Sequence, residues 1–262
     1  IDWSDVQLNS NLATVTIPGS AEITITPISG LVTTEAGGTA TFTVKLNTQP
    51  SANVTIGLSS SDTTEGTVSP SSLTFTPSNW STAQTVTVTG ADDQIVDGNL
   101  AYTIVTVAAV STDANYNGLD PTDVSVTNND NDTPGFTITP ISGLVTTEAG
   151  GTATFTVKLN TQPSANVTIG LSSSDTTEGT VSPSSLTFTS ENWMTRQSVT
   201  VTGVNDWTAD GNIAYTIVTG AAVSTDTSYS GLNLADVSVT NMDGAAIDVE
   251  LVPVEVLSSS DT

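Results

Sequence analysis

Apolar and polar residues alternate along most of this chain, in short runs separated by turn residues. Val, Ile, Leu and Phe repeatedly take every second position and Thr or Ser the one between, as in TATFTVKL and QTVTVTG. A period of two marks a half-buried strand, and Thr, β-branched yet polar, suits the wet face of a sheet. The pattern predicts strands at residues 23–28, 40–46, 54–58, 73–76, 85–89, 101–107 and 124–127. Phe42, Val44 and Leu46 are expected to point inward with Thr41 and Thr43 outward. AGG, TQPSA, SPSS and DG supply the turns between runs. No stretch long enough for a helix shows a convincing 3.6-residue period.

The same pattern then repeats. Residues 24–76 recur letter for letter as residues 137–189, an offset of 113 positions. A chain that copies itself is first an array of one structural unit. Seven strands in a unit of about 110 residues is the count of an immunoglobulin-like sandwich. The expected fold is therefore all-β, two tandem immunoglobulin-like antiparallel β-sandwiches with extra terminal strands. Residues 22–134 form the first sandwich and 135–244 the second. Residues 1–21 lie outside the repeat and carry a candidate strand at 13–17. Residues 245–262 form a C-terminal tail in which Ile247, Val249 and Leu251 alternate with Asp248 and Glu250. That tail reads as a strand for which seven-stranded copies leave no place.

Charge narrows the partners. Three basic residues (Lys45, Lys158, Arg196) stand against 27 acidic ones, a formal charge of −24 in 262 residues, with no histidine and no cysteine. Nucleic acid requires Lys and Arg to displace phosphate counterions, and an anionic bilayer would repel such a surface. No nucleic-acid partner and no membrane insertion are expected, and no apolar run approaches the roughly 20 residues of a membrane helix. Zinc and other borderline metals lose their preferred ligands, while oxygen-liganded calcium remains available. The Thr-, Ser- and Asn-rich acidic composition suits an extracellular or cell-surface setting. The chain starts at Ile1 without a charged and then apolar leader, so a mature chain without its signal peptide, or an excised fragment, is expected.

Through VTTEAGGTATFTVKLNTQPSANVTI, then SLTFTPSNWSTAQTVTVTGADDQIVDGNLAYTI, and the ending VSVTNNDND, the chain resembles the Calx-β domain, a module that also occurs in arrays in bacterial surface proteins. The resemblance covers nearly all of both repeats. It rests on the E-x-x-G step before the second predicted strand, the DD-x-x-x-D step before the sixth, and the acidic end of the last. The family's Asp-Tyr segment between the third and fourth strands is absent, replaced by SSSDTTEGTVSPSS. In calcium-binding members carboxylates from these loops converge at one end of the sandwich. Carried onto this sequence they fall on Glu35, Asp92, Asp93, Asp97, Asp130 and Asp132, with Asp62 a looser match. Repeat two keeps Glu148, Asp175, Asp206, Asp210 and Asp243, but Asn205 replaces Asp92 and Ala245 replaces Asp132. The resemblance thus implies calcium in repeat one, at its junction with repeat two, and weaker or absent binding in repeat two. Solvated loop acids are the plain alternative, since Asp and Asn favour turns. No EF-hand loop is present: NNDNDTPG lacks the sixth-position Gly and the closing Glu.

No enzyme is expected. Without His a Ser-His-Asp site is excluded, and nothing marks Glu35 and Asp93 as an acid/base pair. Trp80 and Trp193 read as core lids, and the N-x-S/T triplets at Asn53, Asn79, Asn131 and Asn166 as chance in so Thr-rich a chain. The expected function is an extracellular structural protein, a fibre or stalk subunit of calcium-stiffened repeats that self-associates through its terminal strands. The alternative is an adhesin or a glycan- or receptor-binding module of a larger secreted protein.

Overall fold

The structure, a computed structural model, describes residues 19–244. The candidate strands at 13–17 and 247–256 lie outside the described residues. The chain divides into two compact units between Asn131 and Asp132. No helix occurs among the described residues, so none is long and apolar enough to cross a membrane.

Unit 1 contains β1 (Ile23–Thr26), β2 (Leu31–Thr34), β3 (Thr39–Leu46), β4 (Val54–Ser60), β5 (Gly66–Ser69), β6 (Ser72–Phe75), β7 (Gln84–Gly90), β8 (Leu100–Thr106), β9 (Val110–Ser111) and β10 (Val124–Asn129). One sheet has the order β1-β3-β7-β5 and the other β2-β10-β8-β4-β6, with β9 on the flank of β4. Unit 2 repeats the plan with β11 (Phe136–Thr139), β12 (Leu144–Thr147), β13 (Thr152–Leu159), β14 (Val167–Ser173), β15 (Gly179–Ser182), β16 (Ser185–Phe188), β17 (Gln197–Gly203), β18 (Ile213–Thr219) and β19 (Val237–Met242). Its sheets run β11-β13-β17-β15 and β12-β19-β18-β14-β16. The chain is thus a tandem of immunoglobulin-like β-sandwiches.

Each unit has its own core. Phe42, Val44 and Leu46 on β3 face Val54, Ile56, Tyr102 and Ile104 across the sandwich, and Phe155, Val157 and Leu159 repeat this in unit 2. Trp80 and Trp193 pack half-buried against these cores. At one end of each sandwich a buried Tyr anchors a loop: the Tyr116 hydroxyl donates to the Thr48 carbonyl (2.6 Å), and Tyr229 does the same to Thr161 (2.8 Å).

The expected count of seven strands per copy is too low. Four-residue β2 and β5 and the short β9 were not predicted, and β12 and β15 recur in unit 2. The reason for β2 is an inverted pattern. Val32 faces solvent while Thr33 and Glu35 are buried, so polar residues hold the inner positions. In β5 a single Val among Gly, Thr and Ser gives no alternation to read. β2 also breaks the all-antiparallel expectation, because it pairs with β10 in parallel. Pro27 lacks the N–H that would continue β1, and Gly30, at φ 76°, turns the chain toward the second sheet. The parallel register, Asn129 opposite Thr34, brings the ends of β2 and β10 to the same pole.

Close packing at that pole needs Gly90. A Cβ there would overlap the Thr34 carbonyl oxygen and lie 2.6 Å from Asn128 Oδ1, whereas a Cβ on Gly57 meets only Val107, at 3.5 Å. Gly90→Ala is expected to destabilise unit 1 by about 1–3 kcal/mol, the range for overpacking. Gly57→Ala should stay within about 0.5 kcal/mol of the parent. Denaturant unfolding of both variants measures the difference.

Candidate metal centre

The pole where β2 and β10 end gathers acidic side chains from four places in unit 1. Glu35 follows β2 directly and is 3% exposed; its Oε2 accepts the Asn131 backbone N–H at 3.0 Å. Asp130 follows β10, and its Oδ2 accepts the Gly98 N–H at 2.8 Å, tying down the loop between β7 and β8. That loop carries Asp93 and Asp97, with Asp93 Oδ1 capping the Ile95 N–H at 2.8 Å. The fourth place is Glu65, just before β5 and 5% exposed.

These carboxylates form two triads. Glu35, Asp130 and Asp132 each bring an oxygen within 4.8 Å of the others, and Glu65, Asp93 and Asp97 do the same. Unit 2 repeats the second triad as Glu178, Asp206 and Asp210. The framework of the first persists there: Glu148 Oε2 accepts the Gly244 N–H at 3.0 Å, and Asp243 Oδ2 the Gly211 N–H at 2.9 Å. Its third carboxylate has no counterpart, because Ala245 stands where Asp132 would be. Ala245 itself lies outside the described residues.

Two expected ligands of unit 1, and the unit 2 copy of one of them, stand apart from the triads. Asp92 is exposed and in neither of them. Asp62 folds back on its own turn, Oδ1 accepting the Thr64 N–H at 3.0 Å and the Thr64 hydroxyl at 2.5 Å, and Asp175 does the same with Thr177. Those hydrogen bonds hold both carboxyls below the usual Asp range. In their place the structure supplies Glu65 and Glu178, which the sequence reading did not single out. Their signal was slight: a Glu before a Gly in DTTEG, within a strand that had gone unrecognised.

A buried amide joins the parts. Asn128, 1% exposed, accepts from the Thr33 hydroxyl at 3.0 Å and donates to the Ala91 carbonyl at 3.0 Å and to Glu65 Oε2 at 3.4 Å. Asn241 makes the same contacts with Thr146, Val204 and Glu178.

Electrostatically the pole is strained. Burial pushes the Glu65 carboxyl up, Asn128 partly offsets this, and the charges of Asp97, Asp62 and Asp93 raise it further. Asp97 is raised by desolvation and then by Asp93 and Asp130, so the two triads feel each other. Glu178 is raised by burial, despite its bond from Asn241, and by Asp210, Asp206 and Asp175. The chain's three cations lie elsewhere. Lys45 and Lys158 sit near the far ends of β3 and β13, and Arg196 bonds Thr139 and Thr156 just ahead of β17. Arg196 is seven residues before Gly203, where β17 reaches the pole, or about 23 Å at 3.3 Å per residue.

The donor set fits a hard divalent cation. Oxygens bound to one calcium at about 2.4 Å lie no more than about 4.8 Å apart, the spacing found in each triad. Carboxylate oxygens without imidazole or thiolate suit calcium rather than zinc or copper.

No known family's profile matches the chain, and no curated protein matches it. Among solved structures it is similar to CBD12 from CALX1.2, at 13% identity over 85% of this chain and 99% of that one, with a TM-score of 0.38. It is also similar to the apo-form Calx CBD1 domain, at 15% identity over 44% and 100% of the two chains and a TM-score of 0.35. The fibronectin(III)-like modules of Clostridium thermocellum CbhA follow, at 13% identity over 85% and 94%, with a TM-score of 0.27. Superpositions this loose carry no argument about ligands or partners.

The raised carboxyls predict a pH dependence. A carboxyl whose folded pKa lies above its unfolded value binds more protons in the folded state, so stability falls as pH rises through that window and is regained on acidification. In chelator, melting temperature is therefore expected to rise from pH 7 toward about pH 5, as Glu65, Asp97 and Glu178 take up protons. Below about pH 4 the trend reverses. Asp113, held low by the Ser51 and Asn115 N–H groups, then loses the stabilisation it gives when ionised. Calorimetric scans across pH 3–7 check both limbs; a monotonic fall from pH 7 downward contradicts the first.

Proposed function

We propose that the chain is an extracellular structural subunit of a surface fibre or stalk, whose sandwich repeats are stiffened by calcium and which assembles through its terminal strands. The observation that carries this reading is the doubled scaffold with carboxylate triads at its poles. Calcium bound there would replace mutual repulsion by attraction and hold the loop between β7 and β8 against the ends of β2 and β10. Glu35, Glu65, Asp93, Asp97 and Asp130 of unit 1, with Asp132 directly after it in the chain, would hold it. In unit 2 only Glu178, Asp206 and Asp210 form a triad among the described residues, which supports weaker binding or none. The reading assigns no reaction, in keeping with a chain that lacks His and Cys.

The competing reading, a glycan- or receptor-binding module, draws on one exposed aromatic, Trp207. It is 88% exposed in the loop that carries Asp206 and Asp210, and Gln94 holds its place in unit 1. No row of aromatic platforms accompanies it among the described residues.

Two experiments test the proposal. Calorimetric titration of chelator-treated protein is expected to show calcium binding with a rise in melting temperature. Asp93→Asn with Asp97→Asn should weaken binding at unit 1 by more than the roughly 10–100-fold that losing an outer-shell partner costs. No heat and no stabilisation would sink the calcium part. For assembly, deleting residues 247–256 or 13–17 is expected to reduce particle size in light scattering; unchanged particles after both deletions remove the strand-pairing part.

A further inference from the structure

Unit 2 has a groove on its flank, about 480 Å³ in volume, between β11 and the segment leading into β19. β11 ends its sheet, bonded to β13 alone, so its other side offers main-chain groups for a further strand. Phe136, Ile138, Ile141, Leu232, Leu234 and Ala235 give the groove an apolar wall, and none of the residues lining it is ionised.

Unit 1 has a groove at the equivalent place, but it measures about 230 Å³ and carries Glu22 and Asp120. Across the offset of 113, Glu22 becomes Gly135, Ile23 becomes Phe136, Asp120 becomes Asn233, Pro121 becomes Leu234 and Thr122 becomes Ala235. Two scaffolds that share residues 24–76 verbatim therefore differ here. One groove is small and acidic, the other larger, apolar and uncharged.

We infer that the unit 2 groove receives residues 247–251 of a second copy of this chain, added as a strand beside β11. The inference rests on the self-assembling reading above and names its acceptor. IDVEL places Ile247, Val249 and Leu251 on one face of an extended strand and Asp248 and Glu250 on the other. Such a segment suits an apolar groove free of carboxylates, while Glu22 and Asp120 would repel it from unit 1. The direction of β19 selects a second copy over the chain's own tail. β19 starts beside the groove at Val237 and ends at Met242, about 17 Å away. The chain thus leaves unit 2 from the end remote from its own groove. A tail on one surface and a groove on another make a heterologous contact, which passes from copy to copy.

The chain has no cysteine, so introduced thiols report contacts without background. Ala235→Cys and Val249→Cys are placed in separate full-length chains, mixed and oxidised. A disulfide between the two chains is expected, and Thr122→Cys in the unit 1 groove should give none with Val249→Cys. Ile141→Glu, at a wall position 44% exposed, should abolish both crosslink and assembly while leaving the melting of unit 2 unchanged. A crosslink that forms only within a doubly substituted chain overturns the second-copy assignment. Assembly that survives Ile141→Glu but is lost on deleting residues 247–256 overturns the groove and leaves the assembly reading intact. Assembly that survives deletion of residues 247–256 overturns the groove assignment, and assembly that survives deletion of residues 13–17 as well overturns the assembly reading.

Discussion

Asn128 and its copy Asn241 hold together the part of each sandwich that matters chemically. A buried amide needs partners for its oxygen and both hydrogens, and a network of this kind specifies one arrangement only when nearly every group in it is satisfied. Asn128 finds its partners on three separate stretches: Thr33 on β2, Ala91 after β7, and Glu65 before β5. Tyr102 on β8 joins them through the Thr33 hydroxyl. Each stretch leads into or carries a carboxylate of the triads. The amide therefore fixes where those acids stand, and Gly90 fixes how closely β7 can pass β2 beside it.

The positioned carboxylates accept hydrogen bonds from backbone N–H groups and side-chain amides. Asn131, Gly98 and Ile95 each donate a main-chain hydrogen to one of them. Such bonds orient a carboxylate but leave net negative charge at the pole. The cost appears in the upward shifts of Glu65, Asp97 and Glu178, where burial and neighbouring acids act in the same direction. The Lys and Arg residues could have relieved this from neighbouring loops, yet they lie along the strands toward the opposite ends. An oriented set of carboxylate oxygens at one pole is an arrangement that a divalent cation stabilises.

Much of the scaffold was legible in the sequence because its core obeys the period of two. β3, β7 and their copies alternate Val, Phe or Leu with Thr, and burial follows that alternation residue by residue. Legibility failed where polar groups are buried by design. β2 reads backwards, with Thr33 inside and Val32 outside, because Thr33 serves the amide network instead of the apolar core. Glu65 was missed for the same reason. Its burial depends on Asn128, more than 60 residues further along the chain, and no local pattern announces that partner. Asp92 illustrates the converse: adjacent to Asp93 in sequence, it stands outside the triads, because neighbouring residues in an extended loop point different ways.

The doubling makes a further point about where such a chain can vary. Residues 24–76 and 137–189 contain Glu35, Glu65 and their copies together with half of each buried apolar core, while Asn128, Gly90 and their copies Asn241 and Gly203, which position those acids, lie beyond them. Differences gather in the segments outside them. Asn205 stands for Asp92, Trp207 for Gln94 and Ala245 for Asp132 near the poles, and Gly135, Asn233, Leu234 and Ala235 replace their counterparts around the grooves. Exposed positions such as Asn205, Trp207, Asn233 and Ala235 tolerate such changes at little cost in stability and Leu234 joins the unit 2 core, whereas a change to Thr33, Glu65 or Asn128 would strand a buried polar partner. One interior can thus carry two surfaces, and the physical distinction between the units lies in charge at the pole and apolarity at the groove.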